Sequence, residues 1–309
     1  MGRPPVARIT FACATVLALW SPAASAYVRT VTSVGAPMYW NRTVITITAY
    51  VGDPPEPLTS QDVLFAAQSA ANTWSRDRVG CTSLELRVAA TQERSAPVKL
   101  DGVSRMTFRR ESWCKDPHVE GEPCYDPLAL AVTSVFARKS DGEIIDADVE
   151  LNGVIFKWAD LARNPGDGGN VQDLQNTLTH EFGHLIGLDH TCFIAGTRPG
   201  AIDDRGQAVP SCGHASDDIK ATTMFAAVIP GDLDRRSLSP DDQRGVCEIY
   251  PPIDLTLEAG PQGCSLARPR GGAAAGWLVA AILAIRIFRR RAGRRARGCR
   301  PSRDPSPRR

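Results

Sequence analysis

The chain has 309 residues, with 36 Lys and Arg against 34 Asp and Glu, a formal net charge of +2. That balance hides a division. Residues 286–309 hold eleven arginines and one Asp, about +10, and Arg3, Arg8, Arg268 and Arg270 add four more, so the stretch between the terminal segments is near −12. So acidic a domain argues against nucleic acid as its partner and leaves the basic tail a separate job.

Residues 1–26 carry Arg3 and Arg8, an apolar run from Ile9 to Trp20 and Ala24-Ser25-Ala26, the pattern of a secretory signal and its cleavage site. Export gives the cysteines a meaning. Cys81, Cys114, Cys124, Cys192, Cys212 and Cys247 lie between the terminal segments, an even set that reads as three disulfides. Sequence leaves many pairings open. Short separations favour Cys114–Cys124 and Cys192–Cys212, which leaves Cys81 with Cys247.

Residues 27–41 show no period and read as irregular. Thr43–Val51 alternates Ile45, Ile47, Ala49 and Val51 against Val44, Thr46, Thr48 and Tyr50, a strand pattern. Pro54, Pro55 and Pro57 end it. A helix is expected next, with Thr59 as N-cap, Asp62 three residues on, Leu58 able to staple Val63, and an apolar stripe Val63, Ala67, Ala70, Trp74. Leu84–Val88 alternates as a second strand. Residues 92–128 are polar and read as a long loop pinned by Cys114 and Cys124, with a short strand near Met106–Phe108 and a solvated His118. Leu128–Ala137 is apolar enough for a buried central strand. Glu143–Asn152 turns Ile145, Ala147, Val149 and Leu151 one way and Asp146, Asp148, Glu150 and Asn152 the other. Such an acidic face suits a protected edge strand, and Ile145, Asp146, Ala147 and Asp148 are candidates to pair with an extended polypeptide. Asn164–Asn170 is turn-rich, and Asn170 with Asp173 can cap the helix that follows.

That helix carries the chemistry. His180-Glu181-Phe182-Gly183-His184-Leu185-Ile186-Gly187-Leu188-Asp189-His190 holds three of the five histidines. Residues four apart share a helix face, so His180 and His184 can offer imidazole nitrogens to one ion. Glu181 projects beside it, where its carboxylate can take a proton from water. Gly187 allows φ > 0, so the chain turns and delivers His190 from another direction. Three histidines leave a fourth tetrahedral position open, the mark of a catalytic Zn²⁺ rather than a closed structural site. A long loop, 191–223, follows, with His214 a weak candidate for an extra ligand. Then come Thr222-Thr223-Met224-Phe225 and a helix start with Ser239 as N-cap, Pro240 at N1 and Asp241 and Asp242 in the first turn.

HEFGHLIGLDH, TTMF and LSPDDQRGVCEIYP together resemble the metzincin peptidases, and within them the matrixin-like (matrix-metalloprotease-like) branch. The resemblance implies an α+β fold for residues 27–252: a twisted mixed β-sheet with an active-site helix, and a smaller irregular lower subdomain ending in a helix. It also implies Met224 beneath the metal, IIDADVELN as the substrate-binding edge, one catalytic Zn²⁺ and, more weakly, Ca²⁺. The activity implied is peptide-bond hydrolysis in an extended polypeptide; a surface-displayed zinc-binding adhesion module without turnover is the alternative. The chain departs from the pattern at Thr191, where matrixins usually have Ser, and two leftover histidines are too few for that family's second, structural zinc.

After a linker, 253–270, that contains Cys264, residues 271–288 are apolar except for Arg286 and are followed by an arginine-rich tail, 289–309. The order Gly263-Cys264-Ser265, short apolar segment, arginine cluster resembles the bacterial MYXO-CTERM sorting tails and implies retention at a membrane or cell surface. Truncation at Gly263 is then expected to release the protein into the soluble fraction, which cell fractionation checks.

Overall fold

Alternating β-branched and polar residues, interrupted by three amphipathic helical stretches, build the molecule. The computed structural model describes residues 27–164, 170–194 and 200–253. The leader, the linker with Cys264, the apolar 271–288 segment and the arginine tail lie outside these, as do residues 165–169 and 195–199. Among the described residues no helix is long and apolar enough to cross a membrane.

In chain order the elements are β1 (Val28–Arg29), β2 (Val44–Tyr50), α1 (Ser60–Trp74), β3 (Glu85–Thr91), β4 (Ser104–Arg109), β5 (Ala131–Ala137) and β6 (Ile144–Asn152). They continue as β7 (Lys157–Ala159), β8 (Val171–Asp173), α2 (Leu174–Leu185), β9 (Leu188–Asp189), α3 (Asp217–Lys220) and α4 (Pro240–Ile249). This is an α+β molecule with one mixed five-stranded sheet in the order β3-β2-β4-β6-β5. β5 alone runs antiparallel to its neighbour. Two small sheets, β1-β9 and β7-β8, complete it. Residues 27–41 are thus more ordered than expected, because a two-residue strand is too short to show a period.

Helix α1 starts where its signals lie, with a reciprocal capping box between Thr59 and Asp62. Its stripe of Val63, Ala67, Ala70 and Trp74 is buried with Ile45 and Ile47 of β2, Met106 and Phe108 of β4, and Val149 and Leu151 of β6. Leu174, Leu178, Phe182 and Leu185 of α2 share that core. Trp74 buries fully because its Nε1–H donates to the Thr179 carbonyl at 2.7 Å.

The acidic strand is not an edge. β6 lies between β4 and β5: β5 pairs with Asp146, Ala147 and Asp148, and β4 takes up the other side from Asp148 onward, so β6 is an inner strand and not the sheet's edge. Its acidic face is buried beneath the long loop, whose backbone amides satisfy it. Asp146 accepts from the N–H groups of Asp101 and Gly102 at 2.9 and 2.8 Å, and Asp148 from those of Lys99 and Arg105 at 3.0 and 3.1 Å. Glu150 takes Arg109 and the Tyr125 hydroxyl. Burial pushes the Asp148 carboxyl up to about 6 and raises that of Glu150. The alternation misled because a polar stripe reads alike whether water or loop amides answer it. A register shift opposite Phe136 and Ala137 puts Ile144 in the core and leaves Ile145 exposed.

The exposed edge beside α2 is β5, expected to be central. Every residue of β5 is half-buried, and the strand closes one end of the sheet. The stretch expected to be loop contains β4, a full inner strand between β2 and β6. Disulfides join Cys81 to Cys247, Cys114 to Cys124 and Cys192 to Cys212, the three expected pairs.

Candidate metal centre

α2 begins at Asp173, whose carboxylate accepts from the Asn176 N–H at 2.8 Å; Asn170 lies outside the cap. The helix places His180 and His184 one turn apart and stops two residues later. Its last carbonyls are answered by side chains from afar: Trp40 Nε1–H donates to Leu185 O at 2.8 Å and the Tyr250 hydroxyl to Ile186 O at 2.8 Å. Gly187 then takes φ +97°, and a Cβ there would sit 2.5 Å from the Met38 carbonyl oxygen. No other residue fits that turn. The chain reverses into β9, which pairs with β1 and aims His190 back at the helix.

The three imidazoles converge. Nε2 of His190 lies 3.1 Å from Nε2 of His180 and 3.0 Å from Nε2 of His184. Two ligands at zinc's usual bond length, in tetrahedral array, would stand about 3.3 Å apart. The outer nitrogens set the tautomers: His180 Nδ1 is 2.7 Å from the Thr223 carbonyl and His184 Nδ1 is 2.9 Å from that of Leu188. A carbonyl only accepts, so both rings carry their proton on Nδ1 and turn an Nε2 lone pair inward. Lone pairs pressed together at 3 Å suit a cation between them. Burial, then the neighbouring imidazoles, hold His180 well below the ordinary histidine range, and burial does the same for His190, so both stay neutral, the form that binds a metal.

Met224 packs against α2 at Gly183. It is buried, and a Cβ on Gly183 would meet its sulfur at 2.2 Å, so the thioether fills the space that glycine vacates between His180 and His184. The turn is pinned from α4: Asp242 reciprocates the Ser239 cap and also accepts the Thr223 N–H at 2.7 Å. A capping box thereby positions the carbonyl that orients His180. Thr191 donates its N–H to the Met224 carbonyl at 3.0 Å, and its hydroxyl pairs with that of Thr222.

Glu181 is buried, and its carboxylate accepts from Thr133 of β5 at 2.6 Å. Burial pushes the Glu181 carboxyl up, with nearby His184, the Thr133 hydrogen bond and Arg235 opposing that. Nothing in the sequence marked Thr133, one of two adjacent hydroxyls, with Ser134, in an apolar run. Replacing Thr133 by Val leaves that buried carboxylate without this hydrogen bond and is expected to destabilise the fold by about 1.5–3 kcal/mol, with Ser restoring most of it. Denaturant unfolding checks this.

The remaining expectations fall away from the site. His214 is exposed in a 3₁₀ turn and belongs to no cluster with the triad. His118 neighbours Cys114 and Cys124, whose disulfide leaves no thiolate to bind a metal. Among the described residues no group of three carboxylates gathers to favour Ca²⁺.

No family model and no curated protein matches the chain. Among solved structures, that of myroilysin aligns at 13% identity, covering 69% of this chain and 82% of that chain, with a TM-score of 0.34. A likeness so slight carries no argument. What fold and site define is an α+β molecule with a three-histidine group able to hold a metal.

Proposed function

We propose that the protein is an exported zinc-dependent endopeptidase of the matrixin-like type. The observation that supports it most is the convergence of three Nε2 atoms beside a buried carboxylate at the mouth of a cavity of about 410 Å³, lined by β5 on one side and Glu181, His184 and His190 on the other. His180, His184 and His190 would hold the zinc, which supplies Lewis-acid activation of a water and of the scissile carbonyl. Glu181 accepts the proton as the water attacks and returns it to the leaving amine. Thr133 holds that carboxylate in place. The free edge of β5, running past Glu181, offers its backbone to an extended substrate; this role passes to β5 from β6. Three disulfides support export. Retention by the C-terminal tail stays part of the proposal.

The test is to incubate the zinc-loaded protein with a mixed peptide library, with and without a chelator, and read new termini by mass spectrometry. Chelator-sensitive internal cleavage is expected. Zinc bound with no cleavage would favour the adhesion module.

A further inference from the structure

A second cavity, of about 360 Å³, is lined by His180, Glu181 and His190 and shares Ala131, Glu181 and His190 with the first. Its walls are largely apolar: Leu130 and Ala131 before and in β5, and Ala226, Ala227 and Val228 after Met224. Arg235 is the one cation among its lining residues.

Arg235 is only 7% exposed. Its backbone N–H is tied to Asn176 Oδ1 at 2.7 Å, one turn before His180 on α2, so the guanidinium is rooted on a fixed element. Its Nη2 donates to the Ala227 carbonyl, a neutral partner. The neighbouring Arg236 takes the carboxylates of Asp160 and Asp173, both at 2.5 Å. Arg235 makes no ion pair among the described residues, and its other donors find no acceptor there. Asp232, Asp234, Asp242 and Glu181 act on it only through space. Asp126, the remaining acid of the cavity, is exposed and accepts the Leu128 N–H. The direct contacts of the Arg235 guanidinium are neutral and the carboxylates around it act only at longer range, so an anion entering the cavity would supply the direct partner it lacks. Burial pulls its pKa down, the direction of a cation short of counter-charge.

We propose that Arg235 makes this cavity a carboxylate site, so that the protein selects substrates with an acidic side chain, Glu or Asp, next to the bond it cuts. The inference rests on the endopeptidase reading for its place in catalysis. Apolar walls fit the methylenes of Glu, and the planar fork matches a carboxylate. A peptide's C-terminal carboxylate offers the same chemistry, and amidated peptides separate the two sources.

The experiment has two arms. In the first, C-terminally amidated peptides differing only at one position (Glu, Asp, Gln, Leu) are given to the zinc-loaded protein. Glu over Gln is expected to gain about ten- to a hundredfold in kcat/KM, the range for a hydrogen bond to a charged group. Arg235→Met should erase that gain and turn preference to Leu, and Arg235→Lys should keep part of it. In the second, the Glu and Gln peptides are titrated into zinc-loaded Glu181→Gln protein by calorimetry, with and without Arg235→Met. Tighter binding of the Glu peptide, lost with Arg235→Met, supports the assignment even if nothing is cleaved, an outcome that would sink the endopeptidase reading alone. A carboxylate preference confined to peptides with a free C-terminus moves the source to the main chain and overturns the side-chain selection. Equal or undetectable binding of the two peptides, or an acidic preference that survives Arg235→Met, overturns the proposal.

Discussion

Replacing Glu181 by Ala should leave one zinc per chain and an intact fold, while peptide cleavage falls by at least about a thousandfold, within the range general-base catalysis supplies. The three imidazoles keep their geometry without it, because it is set elsewhere: by the Thr223 and Leu188 carbonyls, by the turn at Gly187 and by the pairing of β9 with β1. Alanine favours helix, and truncation removes a buried carboxylate rather than orphaning one; the Thr133 hydroxyl loses that carboxylate but keeps the Glu181 carbonyl at 3.3 Å. Stability should therefore hold or rise slightly. Bound zinc, thermal unfolding and turnover measured on one preparation decide the matter. Undiminished cleavage with zinc in place would remove Glu181 from the mechanism.

What the sequence disclosed and what it hid divide along contact range. The metal motif is local: two ligands on one helix turn, a glycine, a third ligand. Capping boxes at Thr59 and Ser239 are equally local, and both stand where expected. Alternation marked β2, β3 and β6 as strands but did not show the order in which strands lie side by side, because that depends on which edges the rest of the chain covers. β6 shows the cost. Asp146, Asp148 and Glu150 look like a solvated face until the amides of residues 99–105 and the side chains of Arg109 and Tyr125 close over them. β4 was half concealed, since Arg105 and Arg109 read as loop polarity although both are buried against those acids. Thr133 and Arg235 gave no local signal at all. The first is a hydroxyl in an apolar run, and the second sits in Asp232-Leu233-Asp234-Arg235-Arg236, which reads as charged surface. Each acquires a role only when β5 and the segment after Met224 are folded against α2.

Gly183 carries the other large expectation. It occupies an unremarked position between His180 and His184, yet its Cα faces the Met224 sulfur so closely that an added Cβ would lie 2.2 Å away, with Trp74 Cζ2 at 3.0 Å behind. Neither neighbour has room to yield: Met224 is 1% exposed, and Trp74 is fully buried with its Nε1 bonded to the Thr179 carbonyl. Gly183→Ala gains helix propensity, worth about 1 kcal/mol, but overpacking of this kind costs about 1–3 kcal/mol or more. The strain should also spread to the metal. Moving Met224 moves Thr223, whose carbonyl fixes His180, and loosens the Thr191 hydrogen bond that follows His190. Zinc affinity should fall together with melting temperature. Met224→Ala alone opens a cavity and should destabilise by about 2–5 kcal/mol. In the double variant the new methyl occupies part of the space the thioether leaves, so the two losses should add to less than their sum, a coupling of about 0.5–3 kcal/mol. Denaturant unfolding and zinc titration of the four proteins measure it. Strict additivity would mean that the methionine does not wedge against the helix between its ligands and that the site is held by hydrogen bonds alone.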